Sequence, residues 1–304
     1  MHCCAVKHSK THKNAKQYFE NVGVMPMNGE NKKTAAVGIY VNTDRADMSL
    51  AETVREQLLA QHLKASVFCA PGLSEQEAAE TFIKGCDAVL VLGGDGTLLM
   101  VSKICARFAV PVMGINMGRL GFLSEAELSE TEKAAKALAS GNYLIEDRMM
   151  LCCRVDGREL YALNEVVLHR STDERMIRLS VSADGQAVDR FYADGVLAAS
   201  PTGSTAYNLS AGGPIASPGA QVMLLTPICA HTLRARPYVF AAEERLEISS
   251  EGQAVIAIDG AEVSRGRNCG VQVYRAPFRA RFIKISHRSF YQRLNSKLNE
   301  WSTD

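Results

Sequence analysis

The chain has 304 residues, enough for one large or two medium domains that each bury a core, and 47% of its residues are hydrophobic. A net charge of +1 with both signs mixed leaves no basic footprint for nucleic acid, and no apolar run approaches the roughly 18 residues of a membrane span. The 9 cysteines are scattered or adjacent, with no Cys-x-x-Cys pair, and read as reduced thiols of a cytoplasmic protein instead of a disulfide frame or zinc site.

Residues 1–33 are polar, rich in Lys, Asn and His, and without sustained period, which predicts a flexible extension that lacks a signal-peptide core. Ala35 to Val41 reads as a first strand. Ser49-Leu-Ala-Glu52 reads as a capping box opening a helix with apolar positions Leu50, Val54, Leu58 and Leu59. A short strand follows at Ala65 to Cys69, and Ser74-Glu-Gln-Glu77 caps a second helix. Asp87-Ala-Val-Leu-Val-Leu is a buried third strand that stops at two glycines, after which a helical pattern runs from about Thr97 to Phe108. Val112 to Ile115 is a fourth strand, and Ser129-Glu-Thr-Glu132 caps a helix ending near Gly141. Strands alternating with helices imply a parallel sheet with its ligand site at the strands' carboxyl ends.

From Tyr143 to about Ile285 the texture becomes short alternating runs punctuated by Asp156-Gly157, Asp184-Gly185 and Glu251-Gly252, which predicts a β-rich, sandwich-like second domain. Phe290, Leu294, Leu298 and Trp301 share one helical face, so a terminal helix is expected to pack back on the first domain. The expected division is an α/β domain of residues 34–143 plus 278–304 and a β-rich, nucleotide-binding domain of residues 144–277.

Three stretches carry chemistry. Strand, glycine turn and helix around Gly93-Gly94-Asp95-Gly96-Thr97 present backbone N–H groups to a phosphate. A carboxylate is repelled by phosphates, so Asp95 suits a general base on a hydroxyl or a carboxylate facing a divalent cation; a solvated turn Asp is the plainer alternative. The loop Asn116 to Leu123 leaves the neighbouring strand, and its Phe122 is either a tucked core residue or a ligand wall. Asp194 to Pro214 strings Ser200, Thr202, Ser204, Thr205 and Ser210 among glycines beside Tyr207, a surface able to bond the edge of a heterocycle and cover its face. Asn164-Glu165 interrupts an apolar strand, which requires exposure or a partner.

Together these residues resemble the bacterial NAD kinase family from about residue 35 onward. The family's Gly-Gly-Asp-Gly-Thr stands at 93–97, its Asn-Gly-x-Leu-Gly-Phe loop at Asn116 to Phe122 with Met117 inserted, and its Asn-Glu pair at Asn164-Glu165. Its Thr-Pro-Thr-Gly-Ser-Thr-Ala-Tyr signature spans Ser200 to Tyr207 with Ser in the first place, and Thr226 to Pro237 matches a further motif with Ala230 for Pro. Tyr192 occupies a slot often held by Arg, and Ala261 one often held by Gln.

The resemblance implies transfer of the γ-phosphoryl group of ATP to the 2′-hydroxyl of the adenosine ribose of NAD, with Asp95 as the base. It implies phosphate or dinucleotide contacts from Gly93, Gly94, Gly96, Thr97, Phe122, Asn164, Glu165, Arg175, Asp194 and Thr202. It implies an adenine pocket from Thr205, Ala206, Tyr207, Asn208, Leu209 and Ser210. Mg²⁺ is expected with ATP, without a direct protein ligand. A homo-oligomer, dimer or tetramer, is expected, with nucleotides as the small-molecule partners and neither nucleic acid nor membrane. The alternatives are a diacylglycerol-type lipid kinase sharing the Gly-Gly-Asp-Gly-Thr turn and a non-catalytic NAD(P) sensor.

Overall fold

The computed structural model describes residues 34–43, 48–70, 76–118, 121–232, 234–286 and 288–301. The leader 1–33 and the proposed cap at Ser74 lie outside the described residues. The first region runs β1 (Ala36–Asn42), α1 (Met48–Ala60), β2 (Lys64–Ala70), α2 (Gln76–Lys84), β3 (Ala88–Leu92), α3 (Asp95–Arg107), β4 (Val112–Asn116), the short β5 (Ala126–Glu127) and α4 (Thr131–Ser140). Strands β6 (Leu144–Val155), β7 (Arg158–Ala162), β8 (Glu165–Arg170), β9 (Ile177–Ala183), β10 (Gln186–Ala193) and β11 (Gly195–Ala199) follow. A 3₁₀ turn (Thr202–Thr205) and the one-turn α5 (Tyr207–Ser210) lead to β12 (Val222–Ile228), β13 (Tyr238–Ala241) and β14 (Leu246–Glu251). The chain closes with β15 (Gln253–Ile258), β16 (Ala261–Arg267), β17 (Gly270–Lys284) and α6 (Phe290–Trp301).

All five residues of β3 are buried, because β3 lies between β1 and β4 in a parallel sheet covered on both faces. Val89 and Val91 pack with Leu98 and Val101 of α3, whereas Leu90 and Leu92 pack with Val54 and Leu58 of α1 and Leu138 of α4. An apolar run without alternation is the direct consequence. In α1 the buried positions are Ala51, Val54 and Leu58, while Leu59 is exposed, so the apolar face is rotated from the expected one. Ser49 lies inside the helix, one residue past its first described position, and is not the expected cap. The capping box before α4 likewise forms two residues earlier than expected, between Glu127 and Glu130, at the start of a 3₁₀ turn (Leu128–Glu130) that leads into the helix.

Among the described residues the strands form two sheets. The larger has the order β10-β9-β14-β17-β4-β3-β1-β2, with β5 on β4, β6 on β17 and β7 on β6; the smaller has the order β13-β12-β11-β8-β15-β16. The smaller sheet packs on the antiparallel part of the larger one through Val166, Leu168, Val196 and Ile256 against Leu151, Leu179, Leu246 and Val273, the expected sandwich. The long strands β6 and β17 pair over most of their length, and β17 reaches the parallel sheet through Phe282 opposite Val112. A register shift in β17 between Arg275 and Arg279 falls beside the expected 277/278 boundary, yet the sheet is continuous across it. Helix α6 does pack back on the first region, and Leu294 is buried there, but Leu298 is exposed. Its deepest polar contact is Arg293, which donates to the Ser124 carbonyl at 2.6 Å.

Candidate active site

At the end of β3 the Gly93 amide donates to the Ile115 carbonyl, Gly94 is extended, and α3 begins at Asp95, two residues before the sequence pattern placed it. Asp95 thus belongs to the first helical turn, where a carboxylate is favoured by the unpaired amides. Its Oδ2 accepts from the Phe122 amide at 2.7 Å and the Leu123 amide at 3.3 Å. Its Oδ1 accepts from the Ser124 amide at 3.3 Å and the Ser124 hydroxyl at 2.9 Å. The loop from β4 is therefore wrapped on the carboxylate, and Gly121 is required there because a Cβ would stand 2.1 Å from Asp95 Oδ1. Phe122 is half-buried in the same loop.

The glycines of the turn differ in what explains them. A Cβ on Gly93 would press on Thr97, whose buried hydroxyl accepts from Asn42 at 3.4 Å. A Cβ on Gly94 or Gly96 would meet nothing within 4 Å, and neither glycine has a left-handed backbone. Neither packing nor conformation demands glycine at these two positions. An open, side-chain-free surface at a helix N-terminus is a cradle into which an anionic group can approach the main chain.

The hydroxyl-rich segment is pressed onto Asn164-Glu165. Ser200 donates through its amide to the Asn164 carbonyl at 2.8 Å, and a Cβ on Gly203 would stand 2.2 Å from that carbonyl oxygen. Asn208 is fully buried: its amide nitrogen donates to the Ser204 and Pro214 carbonyls, and its oxygen accepts from the Thr226 hydroxyl at 2.7 Å. That side chain closes the 204–214 loop instead of facing the pocket surface expected of it. Thr202 is also interior, accepting from Arg148 at 3.4 Å. Thr205, Ala206 and Leu209 are half-buried and Tyr207 and Ser210 exposed, so these five keep an outward face.

One residue that sequence reasoning missed organises this half. Asp259 has a side chain 0% exposed and accepts from the amides of Leu163, Asn164 and Glu165 at 3.0, 2.8 and 3.1 Å. Lys103, two turns along α3 from Asp95, pairs with it at 3.1 Å. The helix that starts at Asp95 is thereby tied to the strand end that carries Asn164 and Glu165, with about 12 Å of helix axis between the two attachment points. The only sequence signal for Asp259 was its Asp-Gly turn, with φ of 46° and 80° at Asp259 and Gly260.

Glu165 is buried, and its Oε2 has no hydrogen-bond partner. Burial, and then the charge of Asp259, pushes its carboxyl from 4.5 up to about 7, partly offset by the Tyr207 backbone, which brings Glu165 and Tyr207 into one site. A carboxyl raised on folding supports the native state fully below its unfolded value, and that contribution is lost as pH rises through about 7. At about 1.4 kcal/mol per pH unit the difference is roughly 3 kcal/mol. Glu165→Gln is therefore expected to flatten the fall in melting temperature between about pH 5 and pH 8; an unchanged slope would exclude Glu165 as its source.

Asp194 pairs with Arg170 at 2.8 Å, and Arg175 is exposed in the loop before β9. Tyr192, next but one to Asp194, is exposed with Arg178 5.8 Å from its ring centre, and Ala261 is exposed at the start of β16. A cavity of about 1420 Å³ lies against β9, β10, β14 and β17 and is lined by Met176, Tyr192, His231 and Arg234, not by Asp95 or Tyr207. Volume and chemistry disagree on the site; the glycine cradle and the buried carboxyls define it better, because an open sheet face encloses space without converging reactive groups.

A parallel α/β layer that offers a glycine cradle and an amide-held carboxylate, tied to a sandwich that offers hydroxyls and a Tyr, defines a phosphotransferase of the nucleotide-using kind. Models of the ATP-NAD kinase N-terminal and C-terminal domains match residues 27–143 and 163–285. The chain belongs to the ATP-NAD kinase family. It is 42% identical over 239 residues to the NAD kinase of Moorella thermoacetica, covering 76% of this chain and 77% of that one. It is 36% identical over 276 residues to the NAD kinase of Clostridium botulinum strain ATCC 19397, covering 86% and 96%. Among solved structures, an NAD kinase from Archaeoglobus fulgidus in complex with ATP aligns with TM-score 0.73 at 26% identity, covering 87% of this chain and 98% of that one. Yeast NADH kinase complexed with NADH aligns with TM-score 0.77 at 23% identity over 88% of each chain, which shows the shared fold.

Proposed function

We propose that the protein transfers the γ-phosphoryl group of ATP to the 2′-hydroxyl of the adenosine ribose of NAD, yielding NADP and ADP. The observation that carries this reading is the open Gly94 and Gly96 cradle beside Asp95, which puts unobstructed main chain next to a proton acceptor. Phosphoryl transfer needs positioning and charge neutralisation more than a covalent nucleophile, and turn amides supply both. Asp95 accepts the proton of the ribose hydroxyl. Its two oxygens offer about four acceptor sites and four donors occupy them, so the substrate hydroxyl takes the place of one of the contacts at 3.3 Å, from Leu123 or Ser124. Gly93 and Thr97 hold the turn; Phe122 and the Thr205, Ala206, Tyr207, Leu209 and Ser210 surface border the dinucleotide; Asn164, Glu165, Asp194 and Arg175 contact it.

Among the described residues no three His, Cys, Asp or Glu side chains converge on a point. Mg²⁺ in this reading enters with ATP, and no step is assigned to it. No helix of the described residues is long and apolar enough to cross a membrane. The reading places the enzyme in the cytoplasm as a dimer or tetramer, supported by uniformly free described cysteines and by Met176 and Tyr192 exposed on the open sheet face.

Purified protein incubated with NAD, ATP and Mg²⁺ is expected to form NADP and ADP in equal amounts. Phosphorylation of diacylglycerol without NADP formation would replace this reading by a lipid kinase. Thermal stabilisation by NAD without ADP release would replace it by a sensor.

A further inference from the structure

Both family models end at or before residue 285, yet the chain beyond them contributes one of the most deeply buried cations among the described residues. Ser289 and Gln292 cap α6 reciprocally, the Ser289 amide donating to Gln292 Oε1 at 2.8 Å and the Gln292 amide to Ser289 Oγ at 3.2 Å. This start fixes Arg293 in the first turns of the helix, where its side chain is 7% exposed. Its fork is split between two neighbouring residues: Nη1 donates to the Ser124 carbonyl at 2.6 Å, and Nη2 to Glu125 Oε2 at 2.5 Å. Nη2 also reaches Ser286 Oγ at 3.3 Å. Glu125 is held from its other sides by the amides of Ile285 and Ser286 at 2.9 and 2.7 Å and by the Lys284 ammonium.

The residue that Arg293 grips by its carbonyl is the same residue that grips Asp95. Ser124 donates to Asp95 Oδ1 with both its amide and its hydroxyl. We propose that Arg293 is a positioning residue for Asp95, acting through Ser124. The inference rests on the reading of Asp95 as the group that meets the ribose hydroxyl. Docking α6 alone does not call for this arrangement: a desolvated guanidinium costs more than an apolar side chain in the same place, and Leu294 beside it already supplies apolar burial. What a guanidinium adds is a rigid fork with one prong on the Ser124 carbonyl and the other on the Glu125 carboxylate, which fixes the distance and direction of the Ser124 donors.

The test compares Arg293→Lys and Arg293→Met in the full chain, each in the unaltered and in the Asp95→Asn background, measuring kcat, KM for NAD and melting temperature. Arg293→Lys keeps a positive charge on Glu125, but one ammonium cannot span both acceptors. It is expected to fold, to lose about tenfold or more in kcat with KM for NAD nearly unchanged, and to cause no further loss once Asp95 is asparagine. Arg293→Met is expected to give the same pattern with a lower melting temperature; if it fails to fold, Arg293→Lys decides. An unchanged kcat in Arg293→Lys, or the same fold-loss in both backgrounds, would mean that Arg293 only holds the helix down and would overturn the proposal. Near-normal turnover of Asp95→Asn by itself would instead remove the parent reading of Asp95, and this inference with it.

Discussion

Asparagine at position 95 is expected to lower kcat by at least about 10²-fold, roughly 2.7 kcal/mol of barrier, while NAD still binds. The size follows from losing an aimed proton acceptor beside a neutral hydroxyl, which is a weak nucleophile. The substitution also disturbs the loop. In the native protein four donors converge on the carboxylate, and an amide offers one accepting oxygen and turns an NH₂ group toward backbone N–H groups. Gly121→Ala separates the two effects, because it retains the acceptor but forces it away from a Cβ placed 2.1 Å from Oδ1. Its loss of turnover measures the share owed to geometry alone. Turnover within a few-fold of the native enzyme in Asp95→Asn, with saturation kinetics and calorimetric NAD binding both intact, would rule out the base.

Alanine at position 259 is expected to have the largest effect on stability, about 3–5 kcal/mol. The carboxylate is wholly buried and takes three successive amides and the Lys103 ammonium. Removing it strands three amide donors at the buried carboxylate site, each at a desolvation cost, and leaves the half-buried Lys103 ammonium without its ion pair. Chemical denaturation would read the loss directly. A change below about 1 kcal/mol would mean that water or another side chain replaces the carboxylate without cost, and that Asp259 is not the clamp described. The variant should also loosen Asn164 and Glu165, whose main chain Asp259 orients, so weaker NAD affinity is expected to accompany the lower stability.

The two predictions concern carboxylates of opposite legibility. Asp95 stands out in sequence because glycines flank it directly after an apolar run, although the donors that hold its carboxylate come from residues 122–124. Asp259 is one of several Asp-Gly turns, and what singles it out is contact with residues 163–165, almost a hundred positions earlier. Arg293 is harder still: on a helical wheel it reads as a polar residue beside the apolar line of Phe290, Leu294 and Leu298, yet it is buried while Leu298 is not. Asn208 sits in a stretch whose composition suggested a ligand surface, but its amide is consumed by Ser204, Pro214 and Thr226. Composition could mark the stretch; only the folded loop distinguishes the side chains that build it from those that face outward.

By itself the sequence determined the alternation of strand and helix up to Gly141, the change to a β-rich pattern after it, and the two chemical stretches at 93–97 and 200–210. These are local properties: side-chain period, turn chemistry and glycine placement act between residues a few positions apart. The tertiary structure alone decided which face of α1 is buried, that β6 and β17 join the two regions into one sheet, and that Lys103, Asp259, Ser124 and Arg293 connect the reactive turn to the rest. Each of those depends on a partner far along the chain, and a buried charge is tolerated only where such a partner meets it, which no local pattern encodes.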